Sequence, residues 1–199
     1  MEEFKTIEAA ATADPRWSLF VRIEGPSFSP LTFADHYGAA ADLEVPAHIP
    51  EGVKTQLNTA KNLFIYSWYV YGFGPLVDLT AYAALEQALR LRFKEEGAPT
   101  PRKAFAKLLQ DAIRKGWLQD VHIRHFRRLE ERKKRVSDPE SEDNAPNGET
   151  LDPQSYVKLL AANFPMLRNS LAHGHGQIYP PSTFTLGLCM DLIGQLFVR

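Results

Sequence analysis

Between Leu167 and Gly174 the chain reads Leu-Arg-Asn-Ser-Leu-Ala-His-Gly, which brings a guanidinium, a carboxamide and an imidazole close together in sequence. An unperturbed imidazole titrates near 6.5 and can carry a proton in either direction. A guanidinium keeps its charge and stabilises negative charge that develops beside it. A purely structural role accounts for the same residues, because Arg and His in a last helical turn complement the helix dipole and its bare carbonyls. Spacing adds a constraint. Positions five apart on a helix diverge by roughly 140°, so Arg168 and His173 share no face of a continuous helix. Either the helix unwinds before Gly174, or the site is assembled from two chains.

A second group of residues offers charge rather than chemistry. Arg124, Arg127, Arg128, Arg132, Lys133, Lys134 and Arg135 face only Glu130 and Glu131, a local charge of about +5. With His122, His125 and Phe126 interleaved, this segment is a rail for phosphates, since each Lys or Arg on a phosphate releases a counterion. The alternative is a solvated helix face partly neutralised by the acidic stretch Ser137 to Asp152. His122 and His125 are three apart, but no carboxylate nearby in sequence completes a ligand set, so no metal is expected. No P-loop, GxGxxG, HExxH or paired CxxC pattern occurs. Cys189, the sole cysteine, falls on an apolar helical stripe and is expected to be a packed thiol.

The elements that must position these residues are helical. The chain has 199 residues, 44% hydrophobic and 24% charged, with a net charge of -1. That composition supports one domain with a core that needs no disulfide, and excludes a uniformly basic coat. The acidic start MEEFKTIEAA has no apolar h-region, and the single cysteine suits a reducing compartment, so a cytoplasmic protein is expected. The uncharged run Asn62 to Val77 is too short for a bilayer and carries Gly72, Gly74 and Pro75, so it is expected to be a buried or subunit-facing helix. Prolines divide the rest into helix-length pieces. The pattern predicts a short helix around Phe33 to Ala41, helices over Leu76 to Glu96 and Pro101 to Lys115, and a stop at Gly116. A helix from near Pro153 is expected to bury Tyr156, Leu159, Leu160, Phe164, Leu167 and Leu171, bend at Pro165 and end at Gly174. A last helix is expected to take Ser182 as its cap. Alternation of Trp17, Leu19, Val21 and Ile23 predicts one short strand or hairpin in an otherwise irregular N-terminal segment. The expected organisation is an all-α bundle over 51–199, an N-terminal segment over 1–50, and a mobile acidic loop over 137–152, which has too little apolar surface to offset its ordering entropy.

Two segments together resemble one family. Arg168-Asn169 followed by Ser-Leu-Ala-His173-Gly174 resembles the Arg-x4-6-His signature of HEPN domains. Tyr82 to Arg90, with Leu85-Glu86-Gln87-Ala88-Leu89-Arg90, is similar to an earlier HEPN helix, and a final helix follows the motif in the same order. The resemblance spans roughly Asn62 to Arg199. It implies a HEPN-like helical bundle, usually dimeric, and a metal-independent endoribonuclease with no cofactor. The histidine then takes a proton from a ribose 2′-OH or gives one to the leaving 5′-oxygen, and the arginine stabilises the phosphorus-centred transition state, leaving a 2′,3′-cyclic phosphate. It implies Arg168 and His173 as the catalytic pair, with Asn169 orienting the site. Glu86 either holds Arg168 or makes an ordinary i, i+4 pair with Arg90. RNA would run on Arg124, Arg127, Arg128, Arg132 and Lys133. The implied setting is stress response or defence against foreign genomes, with a homodimer in which two motifs share a cleft and with an antitoxin or defence-system partner. The aromatic run Leu63 to Phe73 is either part of that interface or ordinary core. In one respect the sequence departs. Toxins of this family paired with a nucleotidyltransferase carry a modified tyrosine two residues beyond the histidine, where this chain has His175, and the next tyrosine is Tyr179. The alternative function is a non-catalytic HEPN-like module that binds RNA or nucleotide or scaffolds a partner.

Overall fold

Asp14 accepts the Arg16 N–H at 3.0 Å and caps a 3-10 turn over Pro15–Leu19 in the computed structural model, which describes residues 4–98, 104–136, 152–174 and 179–198. This turn corrects the expected strand. Trp17 lies within it, buried, with its indole N–H donating to the Ser67 carbonyl at 3.0 Å. Only Val21–Glu24 (β1) is extended, paired antiparallel with Ser27–Pro30 (β2) across Gly25 at φ 57°. The register Val21↔Pro30 and Ile23↔Phe28 puts four apolar side chains on one hairpin face and the polar ones on the other. Both faces are open to solvent.

Phe33–Ala41 forms α1, bounded as its sequence predicts. Thr32 and Asp35 make a capping box, and the Thr32 hydroxyl and N–H, with Arg22, hold the Asp35 carboxyl down at about 2. Glu51–Tyr66 forms α2, with Val53, Leu57, Ala60 and Phe64 buried at helical spacing. The single helix expected within Asn62 to Val77 is corrected. The chain leaves α2 at Tyr66, turns through a 3-10 segment at Tyr71–Phe73 and restarts at Gly74, because Pro75 lacks an N–H and belongs in a first turn. The aromatic residues of this run anchor the N-terminal segment. Trp17 stacks on Trp68 at 5.5 Å, and the His36 ring stacks on Phe64 at 4.1 Å. The buried His36 Nε2–H donates to the Phe64 carbonyl at 2.7 Å, and burial pushes the pKa of this imidazole down.

Gly74–Glu95 forms α3, the helix on which α2 and three later helices pack. Val77, Ala81, Ala84, Leu85, Ala88 and Leu89 are fully buried along it. Phe105–Arg114 forms α4, which stops at Gly116 with φ 73°, a left-handed conformation that only glycine takes without strain. Arg124–Val136 forms α5, Ser155–Ala172 forms α6 and Phe184–Leu196 forms α7. The chain is thus mainly α-helical, with seven helices and one hairpin among the described residues. The acidic stretch expected to be a mobile loop lies outside the described residues except for Asp152. Among those residues no helix is long and apolar enough to cross a membrane.

Candidate active site and nucleic-acid face

The helix that carries the motif is built from its start. The first residues of α6 have no cap of their own, and Gln154 at the N-cap makes no side-chain hydrogen bond to it. Asp120, from the 3-10 turn Asp120–His122, supplies the cap from across the fold. Its carboxylate accepts the N–H groups of Tyr156 and Val157, both at 2.8 Å, and the Ser155 hydroxyl at 3.1 Å. The side chain is buried against the start of α6, where the bare N–H groups and the helix dipole favour an acidic partner. Sequence analysis missed Asp120, because nothing local distinguishes it from a loop aspartate.

From that start α6 runs unbroken through Pro165. Its buried face is Val157, Leu160, Ala161 and Phe164, an i, i+3, i+4, i+7 spacing that fits the helical period better than the expected stripe. The expectation is corrected at Leu159 and Leu167, which are 57% and 43% exposed. Met166 is exposed beside them. The helix ends at Ala172. His173 is its C-cap, at φ -92° and ψ 4°, and Gly174 follows at φ 72°. The backbone N–H of His173 donates to the Asn169 carbonyl at 3.0 Å. That bond is the i→i−4 bond of a regular turn, so the chain leaves the helical path after His173, at Gly174. Its side chain is exposed.

Arg168 sits one turn earlier and reaches α3. Its Nη2 donates to Glu86 Oε2 at 3.1 Å and its Nη1 to Asn169 Oδ1 at 3.2 Å. Glu86 makes both of the contacts that the sequence left open, since its Oε1 also accepts from Arg90 Nη2 at 2.7 Å. Arg168, Asn169 and Glu86 are thus brought together, with His173 at the end of the same helix.

Beyond the motif the chain returns to α3. The Tyr179 hydroxyl donates to Asp78 Oδ2 at 2.5 Å, and a Cβ on Gly74 would meet Pro181 at 3.0 Å, so the backbones touch there. The motif is bracketed by two ties to one helix, at Asp78 and at Glu86. Burial pushes the Asp78 carboxyl above its ordinary 3.8, against the lowering effect of the Tyr179 and Thr185 hydroxyls. A raised folded value favours folding fully below 3.8, and that contribution is lost as pH rises through the raised value. Asp78→Asn keeps an acceptor for Tyr179 and removes the buried charge. The melting temperature of the variant relative to wild type is therefore expected to climb between pH 3.5 and pH 7, which thermal melts across that range will measure.

The basic segment forms α5, but not all of its charge is available. Arg124 donates from Nε to Asp191 Oδ1 at 2.6 Å and from its backbone N–H to Oδ2 at 2.9 Å. Its cation is therefore matched by a carboxylate 67 positions away, a pairing with no local signal. Arg127, Arg128 and Arg132 are exposed, while the side chain of Lys133 lies outside the described set. Arg128 and His125 line a groove of about 350 Å³ with Ser182, Thr183 and Phe184. Phe126 and His125 pack on Tyr156 at the first turn of α6. Arg168 lies twelve residues further on, so it stands roughly 18 Å from Tyr156 along the helix axis. His122 and His125 are not joined by a third ligand. Among the described residues no group of three His, Cys, Asp or Glu side chains is placed to hold a metal ion. Cys189 is fully buried, and burial pushes its thiol up.

Comparison with protein-family models, with curated proteins and with solved structures finds no match to this chain.

Proposed function

We propose that the chain is a metal-independent endoribonuclease of HEPN type, acting in the cytoplasm as a homodimer in stress response or in defence against foreign genomes. The observation that supports this most is the end of α6. Arg168 is held to α3 by Glu86, and His173 is the C-cap of the same helix with its side chain exposed. In this reading His173 moves the proton of the ribose 2′-OH or of the leaving 5′-oxygen, and Arg168 stabilises charge on the phosphorus-centred transition state. Asn169 orients the guanidinium. The strand extends toward α5, where Arg127, Arg128 and Arg132 take flanking phosphates, and the roughly 18 Å from Arg168 to Tyr156 is within the span of a few nucleotides of single strand. Leu159, Met166 and Leu167 are the apolar face of α6 open to a second copy. Two motifs would then meet across a two-fold axis.

One observation favours the non-catalytic alternative, a module that binds RNA or nucleotide. The Arg168 guanidinium is engaged on both of its terminal nitrogens, by Glu86 and by Asn169, as a helix-tying residue would be. The test is wild-type protein incubated with mixed single-stranded RNA in excess EDTA, with the product ends identified. Cleavage that leaves 2′,3′-cyclic phosphate supports the ribonuclease. RNA bound but intact moves the assignment to the binding module.

A further inference from the structure

The geometry points to a binding site apart from the motif: we infer that the cavity between the end of α7, the link from α4 to α5 and the link from α1 to α2 takes one uncharged nucleobase. The inference rests neither on cleavage nor on the residues of the motif.

The cavity has a volume of about 320 Å³, near the lower end of the range for small-molecule sites, which suits one ring system with the rest of its molecule outside. Pro46, Trp117 and Met190 form its apolar wall. The Trp117 indole is held in place by the Phe93 ring at 4.7 Å and by the Arg92 guanidinium, 4.8 Å from the ring centre. A fixed aromatic wall favours a flat ring over a flexible chain, which would lose more freedom on binding.

Two polar groups on the wall have their hydrogen-bonding sense set by the fold. His48 Nε2 lies 3.0 Å from the Gly194 carbonyl, which only accepts, so Nε2 carries the proton and the neutral ring presents Nδ1 as an acceptor. Gln195 follows Gly194 in the chain and also lines the cavity. Its carboxamide is oriented by the Gln119 backbone N–H, which donates to Oε1 at 2.8 Å. Its Nε2 is buried and has no hydrogen-bond partner. Folds ordinarily avoid a buried amide nitrogen without an acceptor, and a ligand that brings one removes the cost. The wall thus offers one donor and one acceptor from neighbouring positions, the complement of the donor and acceptor that stand side by side on the Watson–Crick edge of a base.

Charge points to the ring rather than to a phosphate. Among the lining residues the permanent charge is that of Asp191, and Arg124 matches it through bonds of 2.6 and 2.9 Å. An ionic group entering such a site would be left unpaired, whereas a neutral ring is not penalised. Arg124 also opens α5, so the cavity stands at the head of the basic helix.

Two sources supply such a ring, a free nucleoside and a base within a single strand, and the experiment separates them. The full chain is titrated with adenosine, cytidine and uridine, followed by the NMR signal of the Trp117 indole N–H. It is titrated separately with a fluorescent single-stranded oligodeoxynucleotide, which lacks the 2′-OH and reports binding whether or not the chain cleaves RNA. Gln195→Glu keeps the oxygen that Gln119 uses and removes the donor. Val198→Trp fills the cavity from a rim position that is 69% exposed, so it serves even if the first variant is unstable. A thermal melt of each variant shows that it is folded. Gln195→Glu is expected to weaken nucleoside binding by about tenfold, Val198→Trp to abolish it, and Arg168→Met at the motif to leave it unchanged. If the cavity variants weaken the oligonucleotide as well, the base comes from a strand; if they weaken the nucleosides alone, the site takes a free nucleoside. Nucleosides that bind as expected beside an oligonucleotide that does not bind at low salt leave the cavity standing and remove the RNA reading. Absence of nucleoside binding up to about 10 mM, or binding that both cavity variants leave unchanged, overturns the inference.

Discussion

His173→Ala is expected to lower RNA cleavage by a factor of about 10² to 10⁴, the range over which a positioned general acid or base acts. The fold will not mask this result. His173 is the C-cap of α6, exposed, and the hydrogen bond from its backbone N–H to Asn169 survives truncation of the side chain. Surface changes of this kind shift stability by no more than about 0.5 kcal/mol. A loss of rate with an unchanged melting temperature therefore reports on the imidazole itself. Arg168→Ala is expected to lose a comparable rate, whereas Arg168→Lys keeps a charge but not the fork that meets Glu86 and Asn169, and falls between. Single-turnover cleavage of a defined single-stranded RNA in EDTA measures all three. Undiminished cleavage in both alanine variants would assign the activity to another part of the molecule and remove this site.

The elements around that site were legible to different degrees, and the difference follows the range of the interaction that decides each one. The bounds of α1, the stop of α4 at Gly116 and the end of α6 before Gly174 follow from caps and glycines within a few residues. Such signals stand in the sequence next to the structure they cause. The facing of α6 did not come out, because two stripes on that helix are apolar. Contacts with α3 and α4 settle which of them turns inward, leaving Leu159 and Leu167 outside. The basic segment was visible as charge, but the neutralising partner of Arg124 is Asp191, 67 positions away. The tie between Tyr179 and Asp78 spans 101 positions, and the one between Arg168 and Glu86 spans 82. Composition and periodicity carry no such pairing. The last was reached only through the resemblance of two segments to one family.

Asp120 is the case where a long-range contact has the largest consequence for stability. Asp120→Ala leaves the N–H groups of Tyr156 and Val157 at the start of α6 without their acceptor. Each such buried donor costs about 1 to 3 kcal/mol when its partner is removed. The loss of a negative charge from the positive end of the helix adds to this. A total destabilisation of roughly 3 kcal/mol is expected, which for a chain of this size lowers the melting temperature by about 6 to 12 °C. Asp120→Asn keeps one oxygen to accept a single N–H and loses the charge, so about half the effect is expected. The position matters beyond stability. Asp120 opens the turn that launches α5, two residues after the fully buried Leu118, and its own N–H donates to the Pro153 carbonyl at 3.0 Å. It therefore fixes the entry of α6 relative to the basic helix, and so the separation between the arginines of α5 and the motif at the other end of α6. Amide exchange at Tyr156 and Val157 is expected to rise in Asp120→Ala by a larger factor than at Leu85 or Leu89 in the centre of α3. Equal increases at all four would mean that only global stability changed. A melting temperature within 2 °C of wild type would show that the α6 terminus does not depend on this carboxylate.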